Sequence, residues 1–408
     1  MNTSEDISRI QTDARKALDN LQTALADLMA HVPGGIRRPV HLQQALGTDY
    51  KVSWQLFQIA NAADSARASI HVPSTVLLRK LTKSAVEAGV PAKVASRVDQ
   101  AVDEFNLVVD AYANDRPEFD AMLASLTGGE AAQTISIQHR RAAFRSDCPL
   151  WGIQAEMNLG QVFFRGARDG RGFDECYVIV KCGLRRLRQN VMPILHGFRR
   201  PPLDGLPINP TSAFIQESMA LYGAPLLPQF CSQPIPQLLN VAAANGSEYS
   251  VLNSKELGRK APATVAFSGV ALGSPFVEDQ GRRFAEAGMG MQITIPVKLA
   301  VIELFIHRPT FGGAAPVFSA SAIGAEGVQL PEILRRARHL ELYAEIESLG
   351  AVPQMEALPK VPKHMELVEF MFEKLGWDAA EFDVYRVQVP YPILHSELRL
   401  RNLFEVMP

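Results

Sequence analysis

Cysteine is scarce in this chain. The 408 residues hold four, Cys148, Cys176, Cys182 and Cys231, with no CxxC pair. Scattered cysteines of this kind read as reduced, buried thiols and not as a disulfide framework. Without a closely spaced ligand pair they argue against a structural zinc site. Long apolar runs are also missing, so no segment has the length a membrane span needs. The N-terminus, MNTSEDISRI, is polar and acidic early, unlike a secretion signal. These absences point to a cytoplasmic protein with no membrane partner. An excess of one charge is lacking too: the net charge is −2, which excludes a wholesale nucleic-acid coat. Catalytic motifs are absent. There is no HExxH, no GxSxG and no phosphate-binding loop. The run Ala287-Gly288-Met289-Gly290 lacks the third glycine of a dinucleotide motif and leads into a strand pattern. No cofactor, metal site or catalytic residue is therefore expected. His307-Arg308 is the best isolated polar pair, but neither a nucleophile motif nor a carboxylate at metal spacing accompanies it.

What is present begins with length. A chain of 408 residues is long for one core and suggests two or three domains. From Ser4 to about Val32, Ile7, Ile10, Ala14, Ala17, Leu21, Ala24 and Leu28 recur in steps of three and four, widened by Leu18, Leu25 and Val32. This is an amphipathic helix with heptad character, suited either to dimerisation or to packing on its own domain. Val32-Pro33-Gly34-Gly35 ends it.

Next comes Pro39 to Asn61, PVHLQQALGTDYKVSWQLFQIAN. Leu42 and Leu46 share one face of a short helix. Gly47 supplies a residue that tolerates positive φ, and Thr48 or Asp49 can cap a second helix. Val52, Leu56 and Ile59 point back, leaving Tyr50, Lys51, Trp54, Gln55 and Gln58 outward. The pattern resembles the helix-turn-helix of bacterial DNA-binding regulators, whose second helix enters the major groove. The resemblance covers only residues 39–61. It implies double-stranded DNA as partner, a dimer on paired half-sites, and DNA contacts from Tyr50, Lys51, Trp54, Gln55 and Gln58. Lys51 would serve phosphate or guanine and Gln55 could read adenine. Arg37 and Arg38, just upstream, could hold the backbone.

Charge is unevenly distributed. Between Gly35 and Arg97, nine bases stand against three acids, a net of +6; from Asp99 to Asp120, one base stands against seven acids, a net of −6. A basic block can serve phosphate contacts. The same two blocks can also be solvated helix faces that pair with each other.

Helices are expected over Pro73–Ala88, with Ser74 as cap, over Ala92–Ala113 and over Pro117–Leu126. Residues 1–127 thus read as an all-helical domain, with Gly128-Gly129 as linker. Beyond it the period changes. Thr134–Gln138 alternates, and Trp151–Arg165 and Glu175–Cys182 form a hairpin around a glycine-rich turn. Arginine is dense here (Arg140, Arg141, Arg145, Arg165, Arg168, Arg171, Arg185, Arg186, Arg188, Arg199, Arg200), which suits either an anion surface or an ordinary sheet surface. A proline-rich stretch, residues 201–239, marks a break between subdomains, with a helix near Thr211–Leu221. Ala263–Leu272 and Gly288–His307 read as strands, the second bent or split at Pro296. Pro331–Leu349 reads as an amphipathic helix, His364–Leu375 as a helix stopped by Gly376, and Asp383–Arg401 as a strand or pair. The fold class is α+β: an N-terminal helical domain, then a mixed region over residues 130–408 with mainly antiparallel sheet. The function expected is a DNA-binding transcriptional regulator whose C-terminal region senses a ligand or binds a partner. Two alternatives stand beside it: an enzyme acting on a small anionic substrate, with the arginines as clamps and His307 as acid or base, and an assembly protein.

Overall fold

The stripe along the first helix explains the N-terminal unit. Ala14, Ala17, Leu18, Leu21, Leu25 and Leu28 are all buried, and the helix that carries them, α1 (Thr3–His31), packs along α5 (Ala92–Tyr112). Val94, Val98, Val102, Phe105 and Val109 of α5 are buried in turn. Around this pair stand α2 (Pro39–Leu46), α3 (Tyr50–Ala60), α4 (Thr75–Glu87) and α6 (Arg116–Thr127). The computed structural model describes residues 3–62, 69–127, 129–167, 169–199, 210–244, 247–253, 258, 262–279, 282–311, 315–323, 333 and 337–406. The stripe offered for dimerisation is thus occupied inside its own unit, against α5 and α3. Ser74 sits at the N-cap of α4 but makes no capping bond with its side chain.

The chain divides into two compact units, Met1–Gln138 and His139–Pro408. The division falls inside α7 (Gly129–Trp151). Two expectations are corrected here. Gly129 opens a helix and is no linker, and Thr134–Gln138 is helical, not a strand. Residue 128 lies outside the described residues.

The C-terminal unit is built on a six-stranded mixed sheet of order β11-β12-β9-β1-β2-β6. Its strands are β1 (Ile153–Gly166), β2 (Gly172–Arg186), β6 (Ala263–Pro275), β9 (Val297–His307), β11 (Ile346–Ala351) and β12 (Phe382–Pro390). Only β1 and β9 run parallel; the other pairings are antiparallel. A four-stranded sheet, β10-β13-β8-β7, comprises β7 (Val277–Asp279), β8 (Arg282–Gln292), β10 (Val317–Ala322) and β13 (Ser396–Glu405). A three-stranded sheet, β3-β5-β4, comprises β3 (Ile194–Arg199), β4 (Leu238–Ala242) and β5 (Ser247–Leu252). Mainly antiparallel α+β architecture is therefore what the chain adopts.

The central strands bury both faces. On one face α9 (His364–Leu375) covers β1 and β9, with Phe372 set edge-on to Phe163 and Phe305. On the other, β8 lies so close that a Cβ on Gly160 would meet Met289 at 2.5 Å. The helix near residue 211 is α8 (Pro210–Tyr222). The run from Gly288 to His307 proves to be two strands in different sheets, with Pro296 in the connection. Asp383–Arg401 likewise splits between sheets, where Tyr391 and His395 turn the backbone at φ 49° and 59°.

The expected helix over Pro331–Leu349 is corrected in its later part. Residues 331, 332 and 334–336 lie outside the described residues; Ile333 and Ala337 are helical, but residues 339–345 are not, and residues 346–351 form β11. Ile346, Glu347 and Ser348 pair with Val387, Arg386 and Tyr385 of β12. Backbone pairing at the sheet edge outweighs the helical pattern of the side chains.

Candidate nucleic-acid interface

Pro39 fits the first turn of α2, where its missing N–H is not needed. Leu42 and Leu46 are buried beneath it. Gly47 follows with φ +61°, and a Cβ there would meet nothing within 4 Å. The residue is glycine for its backbone conformation alone. Asp49 Oδ1 accepts the N–H of Lys51 at 2.7 Å and so caps α3. The connection, residues 47–49, has the length of a helix-turn-helix turn.

α3 buries Ser53, Leu56 and Ile59. Its inward edge thus runs through Ser53, while Val52 is only half-buried. The reason is polar: Ser53 Oγ lies 2.6 Å from Thr48 Oγ1 across the turn. A buried hydroxyl with a partner costs little, and apolar periodicity does not reveal it.

The opposite side faces solvent. Tyr50 is 53% and Trp54 38% exposed. Lys51 is exposed, and Gln55 and Gln58 are half-buried. Trp54 is braced edge-on by His71, with ring centroids 5.0 Å apart, so its indole does packing as well as facing outward. Arg37 and Arg38 are exposed just before α2. All seven residues named from the sequence thus lie in or beside one helical corner, none of them buried.

The basic block is divided in its partners. Arg79 pairs with Asp99 at 3.3 Å and with Asp103, and Arg97 pairs with Asp27 at 3.1 Å. The acidic block of α5 therefore neutralises part of the basic block, as the charge-pairing reading has it. Among the described residues Arg37, Arg38, Lys51, Lys80, Lys83 and Lys93 make no ion pair. Arg67 lies outside the described residues. The charge left over includes the corner itself.

The other candidate groups separate. Arg140 is buried and donates to the carbonyls of Pro390 and Tyr391; burial pushes its guanidinium down to about 10. Arg185 pairs with Glu156 at 3.0 Å, Arg188 donates to Leu150 O, and Arg141 and Arg165 lie over the rings of Tyr391 and Trp377. Arg168 and Arg200 lie outside the described residues. Arg140 and Arg141 thus meet at Tyr391, while Arg165, Arg185 and Arg188 are engaged with other partners.

His307 is buried between Thr310 Oγ1, 2.7 Å from Nδ1, and Glu381 Oε2, 3.1 Å from Nε2. Burial pushes its pKa down and the bond to Glu381 pulls it up, for a net fall. Thr310 Oγ1 also takes the Gly166 N–H at 3.3 Å, and Arg308 pairs with Asp383 at 2.7 Å. The cluster ties the end of β9 to the start of β12.

A buried hub escaped the sequence reading. Glu303, fully buried in β9, accepts from Gln161 at 2.7 Å, His364 at 3.0 Å and Arg386 at 2.8 Å. The Leu358 N–H donates to His364 Nδ1, so the ring proton sits on Nε2. Burial pushes the Glu303 carboxyl up, but bonds from His364 and Gln161 and the charge of Arg386 hold it below its ordinary value. A charge inside an apolar run is visible in sequence; its three donors, remote along the chain, are not.

Comparison with protein-family models, with characterised proteins and with solved structures finds no match to this chain. Among the described residues no helix is long and apolar enough to cross a membrane, and no group of His, Cys, Asp and Glu is placed to hold a metal ion.

Proposed function

We propose that the α2–α3 corner is a helix-turn-helix that lays α3 in the major groove of double-stranded DNA, making the protein a cytoplasmic transcriptional regulator. The observation that carries this reading is the outward side of α3. A helix capped by Asp49 and seated on Leu56 and Ile59 turns Tyr50, Lys51, Trp54, Gln55 and Gln58 away from its core. Its N-terminal end holds Tyr50 and Lys51, where such helices meet base edges. Lys51 has no acidic partner among the described residues, so its charge is available to phosphate. Arg37 and Arg38 flank the corner for backbone contact. Regulators of this kind act as dimers on paired half-sites. With the α1 stripe buried, a second copy joins through another face.

A fluorescence-anisotropy titration of the full chain against random-sequence duplex, repeated from 50 to 300 mM salt, tests the reading. Affinity should fall steeply as salt rises, because each phosphate contact releases counterions. Lys51→Ala should weaken binding and lower the slope of log K against log salt by about 1. Gln55→Ala should leave that slope unchanged. A slope near zero for the parent protein, or no effect of Lys51→Ala, refutes DNA binding by α3.

A further inference from the structure

The C-terminal end of α7 forms one wall of a cavity of about 290 Å³ in the C-terminal unit. Phe144, Asp147 and Trp151 recur at helical spacing and line it from one face of the helix. Residues 392–395, in the loop between β12 and β13, form the facing wall. That loop is already fixed. The N–H groups of Tyr391 and His395 donate to Lys298 O and Ile293 O at 2.8 Å, and His395 O accepts from the Ile323 N–H at 2.9 Å. A ligand therefore meets a formed site and has no loop to order. Phe144, Pro392 and Leu394 make the lining largely apolar. Its polar groups differ in commitment. Arg140 spends Nη1 on the carbonyls of Pro390 and Tyr391, about two helical turns, roughly 10 Å, before Asp147. His395 packs against Trp151, with ring centroids 4.9 Å apart. The Asp147 carboxylate is half-buried, and among the described residues it has no hydrogen-bond or ion-pair partner. Trp151 is 43% exposed, so part of its ring stays open to a ligand.

The geometry points to a binding site in this cavity for one small arylalkylammonium ion. Three features call for a cation. Asp147 supplies a negative charge that no described residue answers. Trp151, one turn further on, supplies an indole, whose π-surface attracts cations. The helix ends here, and a helix C-terminus carries the negative end of the dipole. Pro149 adds to that end, because it has no N–H to give to the carbonyl of Arg145. The apolar lining calls for an apolar body. The volume stands at the small end of ligand pockets, which suits a single ring on a short chain. The ring lies against Phe144, Pro392 and Leu394, and the ammonium turns to Asp147, away from the Arg140 charge. An inorganic cation would leave the apolar walls bare, and a neutral arene would leave the carboxylate unanswered. The site belongs to the C-terminal unit and does not rest on DNA binding.

Phenethylammonium is the probe. Isothermal titration calorimetry of the full chain should show saturable binding of one molecule per chain, about tenfold or more tighter than that of 2-phenylethanol, its uncharged counterpart. Asp147→Asn should remove that difference and retain 2-phenylethanol binding, which shows that the variant is folded. Trp151→Ala should weaken binding of the ammonium. Phenylacetate, which carries the opposite charge, should bind more weakly than either. Absence of saturable binding to the parent overturns the site, as does a preference for phenethylammonium that survives Asp147→Asn. Equal or tighter binding of phenylacetate would assign the charge to Arg140 and overturn the cation reading.

Discussion

His196 and Glu175 show how burial sets opposing responses to pH. Burial, with the Lys181 charge adding to it, pushes His196 down to about 4 from an ordinary 6.5. The unfolded chain takes up a proton between those values and the folded chain does not. Acidification from pH 6.5 to 4 therefore destabilises the fold through this group. Burial pushes Glu175 up to about 7 from 4.5. Here the folded chain keeps a proton that the unfolded chain releases, so this contribution is present below pH 4.5 and lost as pH rises to 7. Between pH 7 and 5 the two slopes nearly cancel in the parent. Single substitutions should uncover them. Compared with the parent over that interval, His196→Phe should gain about 2 kcal/mol on acidification and Glu175→Gln should lose about as much, at about 1.4 kcal/mol per pH unit. Urea unfolding of the three proteins at pH 7 and pH 5 measures both differences. Equal slopes in all three would remove burial as the cause.

At the scale of elements, glycines report how closely strands approach. A Cβ on Gly288 would lie 2.2 Å from Arg401 Cβ and 2.6 Å from Leu400 O, whereas the atoms nearest to one on Gly160 are the tips of Met289 and Met291. Backbone cannot yield as a methionine end can. Gly288→Ala should therefore loosen the β8–β13 ladder and cost more than about 3 kcal/mol, while Gly160→Ala should cost about 1–2 kcal/mol. Thermal melting ranks the pair, and the opposite order would refute it. The same scale shows why parts of the fold could be read in advance. Leu42, Leu46, Gly47 and Asp49 stand within eight residues and each acts locally, so α2, its stop and the α3 cap are legible. His364–Leu375 ends where Gly376 adopts φ +63°, and that too is a local requirement. Ile346–Ala351 is not local: its helical spacing yields to an edge position beside β12. The division of Gly288–His307 between two sheets depends on which partners each half meets, and no spacing encodes that. Asn158 and Lys181, buried opposite each other across β1 and β2, have the same character, since register alone brings the two together.

At the scale of the whole molecule, each unit has its own hydrophobic core. Leu21, Leu25, Leu28, Leu42 and Leu56 share one cluster in the N-terminal unit. Phe163, Phe305, Phe372 and Phe382 share another in the C-terminal unit. The proposed DNA contact falls on the first core, on which the α3 corner is seated. Damage to that core should therefore remove DNA binding and spare the C-terminal fold. Leu28, fully buried, supplies the test. Leu28→Ala removes three buried carbons and leaves a cavity, which costs about 2–5 kcal/mol and should lower the melting of the N-terminal unit by about 10 °C. Calorimetry should then show a low transition that moves and a second that stays. Between the two transitions, DNA affinity should be lost while the C-terminal unit stays folded. A single shared transition would mean that the two cores unfold as one, and DNA binding could no longer be assigned to one unit by melting it.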